Sequence, residues 1–331
     1  MIHDHNQHPL GTGFTASSTA DEVLQGIDLT GMNVVVTGGH SGIGLETTRA
    51  LSKAGACVTV AARRPQRALA AVADMAHTEV SPLDLMDPAS IDAFTGRWLD
   101  SGRPLQILIN NAGLPAPRDV MRDARGYEAQ FVTNYLGHFQ LTQGLRPALH
   151  AAHGARVVNV TSGAQRFGNI RWHDPHFITG YDPLVAYAQS KTAAVLFAVE
   201  LDRRWAAEGI RGYAAHPGVV VGTGLNSAAG EQQLRASGLI DEAGRPIINP
   251  ATGRKTPPQG AATIVFAATS PLLGEVGGVY LKDCDISPLI AEDLPMTSDP
   301  DVDIPADVAP HSIDPRAARR LWQLSEQLLA R

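Results

Sequence analysis

The stretch that decides the fold is MNVVVTGGHSGIG, residues 32–44. Its first half is a short apolar run of β-branched residues, which is typical of a strand buried on both faces of a parallel sheet. Its second half is rich in glycine and leads into residues 43–55, where Thr47 and Leu51 recur at helical spacing and Gly55 is a stop signal. A strand, a glycine turn and a helix in this order predict a nucleotide site.

The glycine turn suits an anion for a physical reason. Without side chains at Gly38, Gly42 and Gly44, the backbone can bend sharply and approach a pyrophosphate, while the helix N-terminus presents unpaired N–H groups. The spacing departs from the GxGxxG fingerprint, so the glycines alone also fit a structural turn. The flanking strand and helix favour nucleotide binding. The predicted contacts from this turn are Gly38, His40, Ser41, Gly42, Ile43 and Gly44.

The second predicted strand, Cys57–Ala62, ends in Arg63 and Arg64, at the place where many dinucleotide folds carry an acidic residue for the ribose hydroxyls. A guanidinium can hold a 2′-phosphate through charge-assisted, often bidentate hydrogen bonds, whereas a carboxylate would repel it. The pair therefore favours NADP(H) over NAD(H). The alternative is two solvated arginines at the start of a helix that begins at Pro65.

Tyr187 and Lys191 lie four residues apart in AYAQSKTAAVLF. In a helix the two side chains share one face, so the phenol and the ammonium can form one wall of an active site. A nearby cation favours the phenolate and would lower the tyrosine pKa from its usual value of ~10. The spacing alone also fits a solvated helix face, and its position behind a nucleotide turn is what favours proton transfer.

Seven motifs occur along the chain in a recognisable order. They are TGGHSGIG from residue 37, the pair Asp84-Leu85, NNAG from residue 110, Asn134 within NYLGHFQLT, Ser162 after VVNVT, Tyr187 with Lys191, and His216-Pro217-Gly218. In this set and order the chain resembles the short-chain dehydrogenase/reductase (SDR) family, in its retinol-dehydrogenase-like and WW-domain-oxidoreductase-like branch. The resemblance spans roughly residues 18–218 and, more loosely, the rest.

The resemblance implies a role for each matching residue. Tyr187 would protonate the carbonyl oxygen during reduction, and Ser162 would orient that carbonyl through its hydroxyl. Lys191 would hold the nicotinamide ribose and lower the tyrosine pKa, and Asn134 would keep a water in a proton relay. The further cofactor contacts, besides Tyr187 and Lys191, would be Asp84, Leu85, Asn111, Ala112, Gly113, Pro217, Gly218 and Val220.

Each of these residues also has an ordinary explanation. Ser162 follows a predicted strand, and a serine at that position often caps a turn. Asn134 lies in a predicted helix, where a buried amide is usually a satisfied structural group. Residues 111–113 fit a plain tight turn as well as a close approach of the backbone to a cofactor.

Strand and helix patterns alternate through the body of the chain and predict an α/β fold, a doubly wound parallel sheet of the Rossmann type. Residues 1–28 are assigned to an N-terminal tail and lead-in, residues 29–282 to a single SDR domain, and residues 283–331 to a C-terminal extension with a terminal helix. Residues 219–256 are long for a loop and predict a substrate lid over the nicotinamide end. Periodicity predicts helices over residues 65–77, 88–100, 124–152, 183–208, 257–269 and 314–330.

Composition narrows the classes of function. Lys and Arg number 27 against 33 Asp and Glu, a net charge of −6 without a basic block, which argues against nucleic acid as a partner. The two cysteines fit a reducing, cytoplasmic location and provide no metal site. No apolar stretch reaches the ~20 residues that span a bilayer, so no membrane contact is expected.

The two ends of the chain allow fewer conclusions. His3, His5 and His8 are expected to lie in a mobile tail rather than to bind a metal, because no predicted element holds the imidazoles together. The Pro- and Asp-rich segment of residues 283–310 and the helix after it either clasp the domain, clasp a neighbouring subunit or form a flexible acidic linker.

Together these features predict an NADP(H)-dependent oxidoreductase that interconverts a largely apolar ketone or aldehyde with its alcohol. The expected partner is a small-molecule carbonyl or alcohol substrate. The resemblance also implies that the protein forms a homodimer or homotetramer. Two alternatives stay open. One is a non-catalytic NADP(H)-binding regulatory or scaffold protein, and the other is a nucleotide-sugar epimerase or dehydratase, which shares the tyrosine and lysine but usually has GxxGxxG.

Overall fold

The strands of the protein lie between residues 33 and 286. A computed structural model describes residues 6–221, 223, 230–291 and 298–330. The strands in these ranges are β1 (Asn33–Thr37), β2 (Cys57–Ala62), β3 (Thr78–Pro82), β4 (Ile107–Asn110), β5 (Ala155–Val160), β6 (Ile210–His216), β7 (Val219–Val220), β8 (Arg254–Lys255), β9 (Val279–Lys282) and β10 (Asp285–Ile286). Eight of them form one sheet in the order β10-β9-β6-β5-β4-β1-β2-β3, and β7 pairs with β8. The order runs outward from β1 in both directions, which confirms the predicted doubly wound fold.

Helices cover both faces of this sheet. They are α1 (Ala20–Val23), α2 (Gly42–Lys53), α3 (Pro65–Ala71), α4 (Pro88–Asp100), α5 (Ala129–Phe131), α6 (Gly137–Ala151), α7 (Pro183–Trp205), α8 (Glu231–Ala236), α9 (Pro257–Thr269) and α10 (Pro315–Leu329). A π-helical segment, Val132–Leu136, joins α5 to α6. One face of the sheet packs on α2 and α9, and the other packs on α4, α6 and α7.

The strand β1 shows how the sheet is buried. Val34, Val35 and Val36 are completely buried. Because successive strand residues point to opposite faces, Val34 and Val36 enter the core beside α2 and α9, while Val35 enters the core beside α4 and α6. Every pair in the large sheet is parallel except β9 with β10, which is antiparallel. The carboxyl ends of the parallel strands therefore meet at one edge, where ligands bind in this architecture.

Two predicted helices are longer than the real ones. The helix predicted over residues 65–77 ends at Ala71, and His77 has a φ of +53°, a left-handed conformation that no α-helix contains. The helix predicted from residue 124 begins only at Ala129, because the Asp123 carboxylate accepts backbone N–H groups of residues 125 and 127 and holds a turn there.

The longest helix, α7, is a core element. Together with the turn after it, Pro183–Glu208 is long and apolar enough by length and composition to cross a membrane, but 78% of the apolar window is buried within the protein. Such burial is typical of a central helix in a sheet domain.

Residues 6–14 of the N-terminal arm pack on the domain, so the prediction of a mobile tail is wrong for these residues. Gln7 is buried and its side-chain amide donates to the carbonyls of Tyr280 and Ser287 at 2.8 and 2.7 Å. The Asp285 carboxylate accepts the N–H groups of residues 10 and 11. The arm thereby covers the edge of the sheet at β9 and β10. His3 and His5 lie outside the described residues.

The C-terminal extension clasps its own domain. Helix α10 packs along α7, where Trp322 contacts Phe139, Phe197 and Trp205 with ring centroids 4.9, 5.9 and 5.6 Å away. The Tyr135 hydroxyl lies 2.6 Å from Ser325 Oγ. Within the described residues the extension is therefore part of the fold rather than a flexible linker.

Candidate active site

The glycine turn lies between β1 and α2. Gly38 and Gly42 have φ values of +65° and +54°, in the left-handed region that glycine adopts most readily. A Cβ added at Gly44 would lie 2.4 Å from the side-chain nitrogen of Asn111, so the close approach here requires glycine. The N-cap residue Ser41 makes no side-chain hydrogen bond to the helix. The N–H groups of the first turn therefore suit an anion, and the cradle fits a pyrophosphate.

The Thr37 hydroxyl holds the NNAG turn against the glycine turn. Its Oγ1 accepts the N–H groups of Asn111 and Ala112, both at 2.9 Å, and lies 2.8 Å from His138 Nε2. Burial lowers the pKa of His138 to about 3, so its imidazole is neutral. No spacing in the sequence points to His138, because its partner lies 101 residues away.

Three arginines gather where β2 ends. Arg63 and Arg64 line the cleft, are exposed, and make no side-chain hydrogen bond or ion pair with any residue that the structure describes. Arg67, one turn into α3, joins them at the cleft wall and is likewise unpaired among the described residues. Burial, helped by the charge of Arg67, lowers the pKa of His40. Arg67 was not predicted from the sequence, and the signal that points to it is a third arginine in the first turn of the helix that follows Arg63 and Arg64.

The end of β5 and the helix α7 bring three polar side chains together. Ser162 Oγ accepts a backbone N–H of the turn Gly163–Phe167 at 3.2 Å, and its hydroxyl also hydrogen-bonds the Tyr187 phenol. Lys191 lies one turn further along α7, with its Nζ 5.5 Å from the centre of the Tyr187 ring. That Nζ donates to the carbonyl of Val160 at 3.1 Å. Ser162 is thus both the cap of a turn and part of the cleft wall.

The pKa values at this wall are set by burial. Burial raises the pKa of the Tyr187 phenol to about 12, and the hydrogen bond with Ser162 opposes that rise. Burial lowers the pKa of the Lys191 ammonium to about 8. The direction for Tyr187 is opposite to the one predicted from the sequence, because removal from water outweighs the hydrogen bond with Ser162. At neutral pH the phenol therefore keeps its proton and Lys191 stays largely charged.

Asn134 lies behind the cleft, in the π-helical segment. Its Oδ1 accepts the N–H of Leu114 at 2.8 Å and its Nδ2 donates to Ser190 Oγ at 2.9 Å. The amide thus links the chain after the NNAG turn to helix α7, and this is the structural role considered for it in the sequence. Its part in a water relay stays a prediction.

The lid begins with the turn after β6. Gly218 has a φ of +78°, and a Cβ there would lie 2.8 Å from Lys255 Cδ, so glycine lets the chain pass close to β8. Burial lowers the pKa of His216 to about 3, and its Nδ1 accepts the N–H of Gly163. Of the predicted lid, residues 222 and 224–229 lie outside the described residues. Those that line the cleft are Val219, Val220, Thr223, Gly230 and Gln233.

The back of the lid is held by Arg254, which is completely buried. Its guanidinium donates to the carbonyls of Gly238 at 3.0 Å, Asp299 at 2.9 Å and Val302 at 3.2 Å. It also donates to Thr252 Oγ1 at 3.0 Å. The lid and the chain from residue 298 onward are therefore one packed unit.

One cleft of about 970 Å³ unites almost all of the predicted residues. Asn134 is the exception. The predicted residues that line the cleft are Gly38, His40, Ser41, Gly42, Ile43, Gly44, Arg63, Arg64, Asp84, Leu85, Asn111, Ala112, Gly113, Ser162, Tyr187, Lys191, Pro217, Gly218 and Val220. Among the described residues, no group of three or more His, Cys, Asp or Glu side chains is placed to hold a metal ion.

Comparisons with known proteins agree with this architecture. The family model of the short chain dehydrogenases matches residues 32–234. A probable oxidoreductase of Streptomyces lividans is 44% identical over 310 residues, which cover 92% of this chain and 99% of that protein. Retinol dehydrogenase 12 of Mus musculus is 38% identical over 265 residues, 78% of this chain and 79% of that protein. A solved structure of an uncharacterized protein from Mycobacterium paratuberculosis matches with a TM-score of 0.70 and 31% identity, covering 95% and 98% of the two chains.

The fold and these relatives define an oxidoreductase that uses a nicotinamide cofactor. The chain belongs to the short-chain dehydrogenase family, in its retinol-dehydrogenase-like branch.

Proposed function

We propose that this protein is an NADP(H)-dependent dehydrogenase that interconverts a largely apolar ketone or aldehyde with the corresponding alcohol. The observation that carries the proposal is the meeting of Ser162, Tyr187 and Lys191 in the same cleft as the glycine turn. A hydrogen-bonded serine and tyrosine beside a buried amine can bind a carbonyl oxygen and supply it with a proton.

Three residues of the chain have separate roles in the proposed reaction. The cofactor, when bound, supplies the hydride in reduction and accepts it in oxidation. The Ser162 hydroxyl orients the carbonyl oxygen of the substrate, and the Tyr187 phenol gives that oxygen a proton in reduction and takes it back in oxidation. The Lys191 ammonium, mostly charged at neutral pH, stabilises the negative charge that the phenol acquires when its proton leaves.

The preference for NADP(H) is supported by the arginines at the end of β2. Arg63, Arg64 and Arg67 present three guanidinium groups without partners among the described residues. A 2′-phosphate carries up to two negative charges and suits such a group, whereas the hydroxyls of NAD(H) would leave the cations unpaired.

The preference for an apolar substrate is supported by the wall beyond Tyr187. The small and apolar residues that line the cleft there are Leu114, Ala116, Pro183, Leu184 and Val219. Burial of an apolar substrate against them gains about 25 cal/mol for each Å² removed from water.

The test is oxidation of NADPH by the purified protein with a panel of apolar ketones and aldehydes. Tyr187→Phe removes only the hydroxyl, so we expect turnover to fall by about 10²- to 10⁴-fold, while NADPH binding followed by fluorescence stays close to the wild-type value. The matched control is Tyr127→Phe, which removes a hydroxyl that donates to the carbonyl of Leu328 outside the cleft. The control should keep near-normal turnover.

Other outcomes would point to other functions. If Tyr187→Phe keeps most of the turnover, the proposed proton transfer is wrong. If the wild type binds NADPH and oxidises it with no carbonyl in the panel, a regulatory or scaffold role is favoured. Interconversion of nucleotide sugars without net change in NADPH would indicate an epimerase.

A further inference from the structure

One cation in the cleft lies far along the chain from the arginines at the end of β2. Arg118 lines the cleft, is exposed, and makes no hydrogen bond or ion pair with any residue in the described ranges. The acidic residue that lines the cleft is Asp84, which follows β3 at the nucleotide side. Burial raises the pKa of the Tyr181 phenol, and Asp119 and Asp182 are close enough to add to that rise. Neither carboxylate lines the cleft or forms an ion pair with Arg118 among the described residues, so the guanidinium can still pair with a ligand.

Hydrogen bonds place Arg118 at the reactive end. The carbonyl of its neighbour Pro117 accepts the Tyr181 hydroxyl at 3.0 Å, and Gln130 Nε2 donates both to that hydroxyl and to the carbonyl of Pro183. Pro183 begins α7, four residues before Tyr187, which is roughly 6 Å along a helix axis. The backbone beside Arg118 is therefore linked to the first turn of α7, the turn before Tyr187, and both Arg118 and Tyr187 line the cleft.

Apolar residues line the cleft just before Arg118 in the chain and at the start of α7. Leu114 and Ala116 precede it in the cleft wall, and Pro183 and Leu184 belong to the neighbouring end of α7. A cleft wall that carries these apolar residues and one guanidinium without a partner among the described residues suits a molecule with an apolar body and an anionic end. A planar carboxylate matches a guanidinium through two parallel hydrogen bonds.

Resting on the proposed function, we propose that Arg118 binds a carboxylate of the substrate, and that the preferred substrates are oxo acids with an apolar chain between the carbonyl and the acid. The reaction itself is unchanged. The carbonyl carbon gains a hydride from NADPH, which becomes NADP⁺, and the carbonyl oxygen gains a proton from Tyr187, which bulk water restores. The carboxylate neither gains nor loses a bond.

The test compares a medium-chain aliphatic ω-oxo acid with its methyl ester, which has the same aldehyde but no charge. For the wild type we expect the acid to have the lower KM. Arg118→Ala should raise the KM of the acid by about 10- to 100-fold, the value of a charge-assisted pair of hydrogen bonds, and leave the kcat and the KM of the ester nearly unchanged. Arg118→Lys should recover part of the loss, because lysine keeps the positive charge but cannot donate two parallel hydrogen bonds to a carboxylate. Arg319→Ala removes an exposed arginine of α10, outside the cleft, and should change neither substrate.

A binding measurement separates this inference from the proposed chemistry. Calorimetric titration of the full-length protein, saturated with NADP⁺, with a medium-chain dicarboxylate needs no turnover, and we expect binding to the wild type and to Arg319→Ala but not to Arg118→Ala. Equal KM values for acid and ester in the wild type, or equal losses for both in Arg118→Ala, would overturn the inference and leave the proposed function intact. Weaker NADPH binding in Arg118→Ala would also overturn it, because the arginine would then serve the cofactor. Absence of all carbonyl reduction would instead contradict the proposed function.

Discussion

The nucleotide end of the cleft and the back of the lid use cationic residues in opposite ways. At the nucleotide end, Arg63, Arg64 and Arg67 reach the cleft without a hydrogen-bond or ion-pair partner in the described part of the chain. At the lid end, Arg254 is completely buried and donates to oxygens on all sides, and Lys255 is 1% exposed and paired with Asp283 at 2.5 Å.

This difference separates binding cations from structural cations. An arginine whose donors are already used holds the fold together, and its loss leaves buried carbonyls unsatisfied. An arginine that faces a cleft with its donors unused has little to contribute to folding and can bind an anion. Each end should therefore respond to substitution in a different measurement.

The largest effect is expected at the nucleotide end. Replacing Arg63 by Asp, Arg64 by Ser and Arg67 by Ala in one variant removes three cations and adds a carboxylate where a 2′-phosphate would lie. We expect the Kd for NADPH to rise by about 100- to 1000-fold, since two or three charge-assisted hydrogen bonds are lost. Titration with NADPH and with NADH checks this prediction.

NADH is the internal control for that variant, because it lacks the 2′-phosphate. Its Kd should stay the same or fall, and the midpoint of thermal unfolding should barely move. An equal loss of affinity for both cofactors would show that these arginines do not select the phosphate.

The second-largest effect is expected at the lid, and it should appear in stability rather than in cofactor affinity. Arg254→Met keeps much of the side-chain volume but leaves the carbonyls around it without donors. We expect the free energy of unfolding to fall by about 3 kcal/mol or more, and limited proteolysis to cut faster within residues 230–256. The ratio of the NADPH and NADH affinities should not change.

Arg245→Met is the matched control in the same lid. Its guanidinium pairs with Asp241 on the surface, where the arginine side chain is 78% exposed. Its loss should change stability by no more than about 0.5 kcal/mol. Comparable destabilisation by both variants would remove the distinction between structural and surface cations in the lid.

Among the three sites, the smallest change in affinity or stability is expected at Lys191, which lies between the two ends and is 3% exposed. Burial lowers its pKa from an ordinary value of 10.5 to about 8. Between these pH values the unfolded chain binds more protons than the folded one, so stability rises with pH, and below about pH 8 the full cost of burying the charge is present. Lys191→Met removes this cost but also leaves the Val160 carbonyl without that donor. We therefore expect a net stabilisation of the cofactor-free protein by about 1–3 kcal/mol at pH 7, with loss of most turnover.

That gain should shrink as the pH rises from about 8 and vanish above 10.5, where the wild-type lysine is neutral in both states. Urea unfolding at several pH values measures it. A gain that is constant with pH would mean that it comes from packing rather than from the buried charge.

Much of the fold and part of the site follow from local patterns. The strands β1 and β2 and the helices α4 and α9 were predicted to within one residue, because apolar periodicity and Pro or Gly signals lie within each element. The glycine turn was found for the same reason. A sharp backbone bend and a close approach between two stretches of chain both require glycine, which is visible in the sequence itself.

Features formed by distant contacts could not be predicted in this way. The bond between His138 and Thr37 joins residues 101 apart, and the partners of Arg254 in the extension lie 45 to 48 residues downstream. The ordered arm at Gln7 pairs with residues more than 270 positions away. In each case the partner is a backbone group or a single side chain, which carries no recognisable spacing.

The helix α10 has a consequence for self-association. The indole of Trp322 packs against Phe139, Phe197 and Trp205. Without this helix, these aromatic side chains would form an exposed apolar surface that could bind another molecule. The chain therefore covers this side of α7 with its own C-terminal helix. Copies of this protein that meet in solution would therefore have to make contact through another surface.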